Sequence, residues 1–154
     1  MTKSTAQSSN VVANGEQKVL RSFLVPLKFK NILTTVVINH PDYKNTKEFI
    51  IDCIEYGFNE IKQDLNETDL IDLSHKPTSA KLSKNIEKEL ADFLKANTVE
   101  SIINDEKDEV GISWNMNKNF FLQLKSKIPL SKYKELRVFY INQVYNGLKR
   151  LLAA

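Results

Sequence analysis

The chain has 154 residues, 42% hydrophobic and 27% charged, an ordinary globular composition that excludes a disordered polymer and is large enough for one compact core or two intertwined ones. It has no run of about 18 apolar residues, and Met1 to Gly15 lack a signal peptide's apolar stretch, so a cytoplasmic protein without a membrane span is expected. The net charge of +3 hides an asymmetry: residues 1–65 sum to +1, residues 66–110 to −5 and residues 111–154 to +7, so the last third should attract a polyanion unless the acidic middle folds over it.

Residues 1–17, dominated by Ser, Thr, Asn, Gln and Gly, read as a flexible tail. Phe23, Val25, Leu27 and Phe29 then alternate with Ser22, Leu24, Pro26 and Lys28, the period-two signature of a short strand. Ile32, Leu33, Val36 and Val37 follow helical spacing until His40-Pro41 interrupts, although the β-branched run Thr34 to Ile38 forms helix weakly. Asn45 opens the next helix with Glu48 as its capping-box partner, and Phe49, Ile50, Cys53, Ile54, Phe58 and Ile61 make its apolar stripe. Cys53, the one cysteine, excludes an intramolecular disulfide; packing is the role favoured for its thiol over reactivity.

Asn66 to Ser79 read as an acidic, turn-prone connector containing Pro77. Ser83 then caps a helix bearing Ile86, Leu90, Phe93 and Leu94. The segment admits two readings: an inserted acidic helical linker over residues 66–109, or a third, truncated unit built from Ala80, Leu82 and that helix, with Thr98 to Asp108 as a short second helix. The charge of −5 favours the linker. Further on, Ile112, Trp114 and Met116 alternate with Ser113, Asn115 and Asn117, after which Phe120, Phe121, Leu124 and Ile128 take helical spacing up to Pro129. Ser131 is read as the cap of a final helix carrying Tyr133, Leu136, Tyr140, Val144, Tyr145, Leu148 and Leu151. Val138, Phe139 and Ile141 widen its apolar arc, so that helix must be enclosed by other elements or by another subunit.

The two halves align without gaps at an offset of 87 residues, Val25 on Ile112, Leu27 on Trp114 and Phe49 on Leu136 among others, which reads as an internal duplication. Strand, helix, break and capped helix in about 40 residues resemble the ribbon-helix-helix DNA-binding proteins of the Arc and MetJ type, and the run Lys44-Asn45-Thr46-Lys47-Glu48-Phe49-Ile50 resembles the start of that family's second helix. Two such units in one chain are similar to the tandem arrangement of the TraY conjugation proteins. The resemblance covers residues 22–65 and 109–152. It implies a mainly α fold with a short antiparallel two-stranded β-ribbon, divided as a tail (1–17), a first unit (18–65), the linker (66–109) and a second, basic unit (110–154).

A lone strand cannot satisfy its backbone, so the two units should pair their strands into a ribbon that fits the major groove. The resemblance implies base contacts from Lys28, Ser113, Asn115 and Asn117. It also implies phosphate contacts at helix N-termini from Lys44, Asn45 and Thr46 and from Ser131 and Lys132, beside Tyr133; helix capping alone is the other reading of these residues. Leu24 and Pro26 depart from the family pattern, and Pro26 threatens the pairing itself. The glycines are scattered, His40 and His75 stand alone, and the run Asp105, Glu106, Asp108 and Glu109 lacks the pattern of a calcium loop. No cofactor, metal site or catalytic constellation is therefore expected. The sequence reads as a non-enzymatic, sequence-specific binder of double-stranded DNA in transcription regulation, plasmid maintenance or conjugative transfer, a homo-oligomer dimerising through its C-terminal helix, which is also a possible docking face for a protein partner. The alternative is a helical protein-protein interaction protein without nucleic-acid binding.

Overall fold

The computed structural model describes residues 17–73 and 81–153; the expected tail, Pro77, His75 and the end of the connector lie outside the described residues. Two strands, β1 (Lys18–Pro26) and β2 (Glu109–Asn117), pair antiparallel as one two-stranded sheet, with Ser22 opposite Ser113 at its middle. Phe23, Val25, Ile112, Trp114 and Met116 point inward and are buried, while the alternate positions other than Pro26 are exposed, as a pleat with one face on a core requires. The remainder is helical: α1 (Leu27–Ile38), α2 (Thr46–Asp64), α3 (Lys84–Ala96), α4 (Val99–Asn104), α5 (Lys118–Lys127), a 3-10 turn (Ile128–Leu130) and α6 (Leu136–Ala153). The order strand, helix, helix occurs twice, with α3 and α4 between. No helix among the described residues is long and apolar enough to cross a membrane.

β2 follows the expected alternation; β1 does not. It starts at Lys18 and ends at Pro26, and Leu27, Lys28 and Phe29 form the first turn of α1. Phe29 fits both periods, but its buried partners Ile32, Leu33, Val36 and Val37 complete a helical i, i+3, i+4, i+7 set that the strand cannot offer. Pro26 occupies the last rung, opposite Glu109, where a missing N–H interrupts no further ladder, so the pairing survives it. The next amide, Leu27 N–H, donates to the Asp108 carbonyl at 3.0 Å.

The start of α2 is as expected. Asn45 Oδ1 accepts the Glu48 N–H at 2.9 Å, and Phe49, Ile50, Cys53, Ile54, Phe58 and Ile61 are buried. After α2, Asn59 exchanges two hydrogen bonds with the Ile71 backbone, and the buried Lys62 ammonium donates to the Asp69 carbonyl at 2.7 Å. The Lys62 side chain, 3.2 Å from Asp69 Oδ2, also holds that exposed carboxyl below the usual range. Residues 81–83 are not a strand, and two helices follow. Thr98 caps α4 by accepting the Ser101 N–H at 3.1 Å. Leu90 and Ile102 bury themselves in the common core, and Tyr145 Oη donates to the carbonyls of Leu94 and Asn97.

The last helix starts later than expected. Ser131 Oγ donates to the Ile128 carbonyl at 2.7 Å and accepts the Tyr133 N–H at 3.2 Å, so its hydroxyl closes the turn rather than capping a helix. Lys134 then adopts a φ of 68° and α6 begins at Leu136. Its wide apolar arc is enclosed by its own chain: Phe139, Tyr140, Ile141, Val144 and Leu148 are buried. α6 crosses α2 with reciprocal close approaches, Gly57 against Gln143 and Gly147 against Cys53.

Gly57 and Gly147 stand 90 residues apart in sequence at this crossing, and Ser22 and Ser113, which face each other at the ribbon centre, 91 apart.

Cys53 is enclosed in this crossing. Burial pushes its thiol up to about 12, Arg150 opposing the shift. The native protein is expected to be inert to a thiol-specific reagent at pH 8 and to take up one equivalent in denaturant. Native-state reaction within minutes would contradict the packing described.

Candidate nucleic-acid interface

The outward face of the ribbon is built by alternation from Lys18, Leu20, Ser22 and Leu24 on β1 and from Gly111, Ser113, Asn115 and Asn117 on β2, all exposed. Across the strands, Lys18 stands opposite Asn117, Leu20 opposite Asn115, Ser22 opposite Ser113 and Leu24 opposite Gly111. Leu20 is 67% and Leu24 50% exposed. Two strands span about 5 Å between axes, and a major groove about 12 Å wide accepts such a ribbon.

The floor beneath this face is aromatic. Phe23, Trp114 and Tyr140 meet with ring centroids 5.0 to 5.6 Å apart, two of the three contacts edge-to-face. Arg21, also on the inward side, lays its guanidinium over the Phe121 ring at 4.2 Å. Burial raises the Tyr140 hydroxyl above its ordinary range, and Arg21 pulls the other way. This packing immobilises the ribbon from below, so the outer side chains are displayed from a rigid element.

Ser113 and Asn115 lie on the outer face as expected. Asn117 shares it, but its Oδ1 accepts the Phe120 N–H at 3.1 Å and caps α5. Lys28 does not belong to the ribbon: it sits in the first turn of α1 and pairs with Asp105 at 3.4 Å. The Lys107 amide, 2.9 Å from Asp105 Oδ1, and then Lys28 hold that carboxyl below its usual range. Two residues of the outer face of β1 escaped the sequence reading, namely Lys18 and Leu20. Their signal is the alternation Val19, Arg21, Phe23, Val25, hidden because a charged residue occupies an inward position.

The helix ends differ. Lys44 and Asn45 are exposed at the N-terminus of α2, with Thr46 as its first residue and half-buried. Ser131 is buried in the turn, and Lys132, exposed with its ammonium 5.4 Å from the Tyr133 ring, precedes α6 by four residues. The cation in the first turn of α6 is instead Arg137. It donates to the carbonyls of Leu24 (3.0 Å) and Ile103 (3.2 Å) and reaches Glu109 at 3.6 Å, locking α6 and α4 to one end of the ribbon. Part of the basic segment is thus neutralised internally, Arg137 by Glu109 and Lys127 by Glu67. Lys125, Lys132, Lys134 and Lys149 are exposed. The chain matches no family model, no curated protein and no solved structure.

Proposed function

We propose that this chain binds double-stranded DNA by inserting its ribbon into the major groove, its two strand-helix-helix segments acting as tandem ribbon-helix-helix-like units within one chain. The observation that carries the reading is the register: with Ser22 opposite Ser113, the hydrogen-bonding side chains of Lys18, Ser22, Ser113 and Asn115 share one exposed face over a buried aromatic floor. Asn can make two hydrogen bonds to adenine, Lys reaches guanine N7 and O6, and leucine methyls suit the thymine methyl. The exposed lysines 44, 47, 125, 132 and 134 supply charge for phosphates and therefore a salt-dependent affinity. Exposed Leu20 and Leu24 favour, as a second reading, a protein partner seated on the same face.

A salt series of fluorescence-anisotropy titrations with duplexes selected from a random pool separates the two. Expected is binding that weakens steeply with salt yet keeps a sequence preference, a preference that Asn115→Ala relaxes by about 1 to 3 kcal/mol at one position. Absence of duplex binding at low salt overturns the DNA reading in favour of the protein partner.

A further inference from the structure

Resting on that DNA reading, we infer that the target is a non-palindromic site read chiefly by one end of the ribbon, the end marked by Lys18 and Asn117. A ribbon made by two identical strands presents identical residues at positions related by its central two-fold axis, and its site mirrors that symmetry. Here the axis passes through the pair Ser22–Ser113, and every other related pair at the outward positions is mismatched: Lys18 with Glu109, Leu20 with Gly111, Leu24 with Asn115, Pro26 with Asn117. One end therefore offers a cation and an amide beside an exposed leucine. The other offers Leu24 and Gly111, neither with a hydrogen-bonding side-chain group, and Glu109, which is paired with Arg137.

Charge divides the ribbon the same way. Lys18 is exposed and makes no ion pair among the described residues, and Lys118 follows β2 at that end. The opposite end is led in by Asp105, Glu106, Asp108 and Glu109 with Lys107 exposed among them; Lys28 pairs with Asp105, Lys30 Nζ donates to the Gly111 carbonyl at 3.1 Å, and Arg137 pairs with Glu109 and donates to two carbonyls. Glu106 and Asp108 remain exposed there, facing a polyanion with like charge. Duplex DNA is thus drawn more strongly toward the Lys18 end than toward the Glu109 end. At the Lys18 end, Asn115 and the facing Leu20 suit one A·T pair, the amide on adenine and the methyls on thymine. At the other, Leu24 discriminates only through a thymine methyl.

Selection of bound duplexes from a random pool, followed by sequencing, tests this with the full chain. The expected consensus lacks dyad symmetry and concentrates its invariant pairs on one side. Asn115→Ala should erase preference on that side by roughly ten-fold or more, as loss of a bidentate contact does, and Leu24→Ala should change preference only on the other side and by less. Glu106→Gln with Asp108→Asn should tighten binding without altering the consensus. A palindromic consensus, or equal losses on both sides for Asn115→Ala and Leu24→Ala, overturns the inference and leaves the DNA reading standing. No duplex retained at low salt overturns both.

Discussion

Replacing Trp114 with Ala is expected to lower the unfolding free energy by about 3 to 5 kcal/mol, among the largest single-residue effects in the chain. The indole is fully buried on the inward side of β2 and touches Phe23 and Tyr140 edge-to-face, at 5.6 and 5.0 Å between centroids. Each such contact contributes about 0.5 to 1.5 kcal/mol beyond burial, and truncation leaves a cavity that two rings anchored on different elements cannot collapse to fill. Trp114 Nε1 has no hydrogen-bond partner among the described residues, so Trp114→Phe, which discards that buried donor along with some area, should cost much less than Trp114→Ala. The chain holds one tryptophan, so the comparison must be followed by far-ultraviolet circular dichroism in a urea series. Equal losses for the two variants would mean that volume is irrelevant there and would refute the packing account.

Trp114 also shows what the sequence made legible. Ile112, Trp114 and Met116 alternate cleanly because Gly111, Ser113, Asn115 and Asn117 separate them, and every inward residue is apolar; the strand and its outer face could be read from that alone. β1 carries Arg21 inside its own alternation, stacked on Phe121, and ends in a phenylalanine that serves strand and helix periods equally. The misplacement of β1 moved Lys28 onto the ribbon and left Lys18 and Leu20 off it. The start of α2 was legible because Asn45 and Glu48 form a local capping pair, whereas α6 has no such pair. Ser131 is a good capping residue by type, yet Lys134, three positions on, cannot return the hydrogen bond that a glutamate gives. Tertiary facts left no local trace. Arg137's contacts with Leu24, Ile103 and Glu109 join three elements distant in the chain, and the charge polarity of the ribbon depends on them.

The crossing of α2 and α6 supplies the second large effect. A Cβ at Gly147 would stand 2.3 Å from Cys53 Sγ and 3.1 Å from Phe49 Cζ, both buried. Gly147→Leu must therefore push the helices apart, at a cost of about 3 kcal/mol despite a gain in helix propensity of about 1 kcal/mol. Gly57 is the mirror case with a different outcome. A Cβ there would meet Gln143 Oε1 at 2.1 Å, the end of a flexible side chain whose amide oxygen and nitrogen are both buried without a partner among the described residues. Gly57→Ala alone should destabilise by about 1 to 3 kcal/mol through overpacking. Combined with Gln143→Ala, it should recover most of that loss, because the second substitution removes the obstacle and the unsatisfied amide together. The double variant is thus expected to be more stable than the sum of the singles by about 1 to 2 kcal/mol, a coupling that urea midpoints can resolve. Additive single effects would place Gln143 away from Gly57 and break the reciprocal crossing on which the ribbon's backing depends.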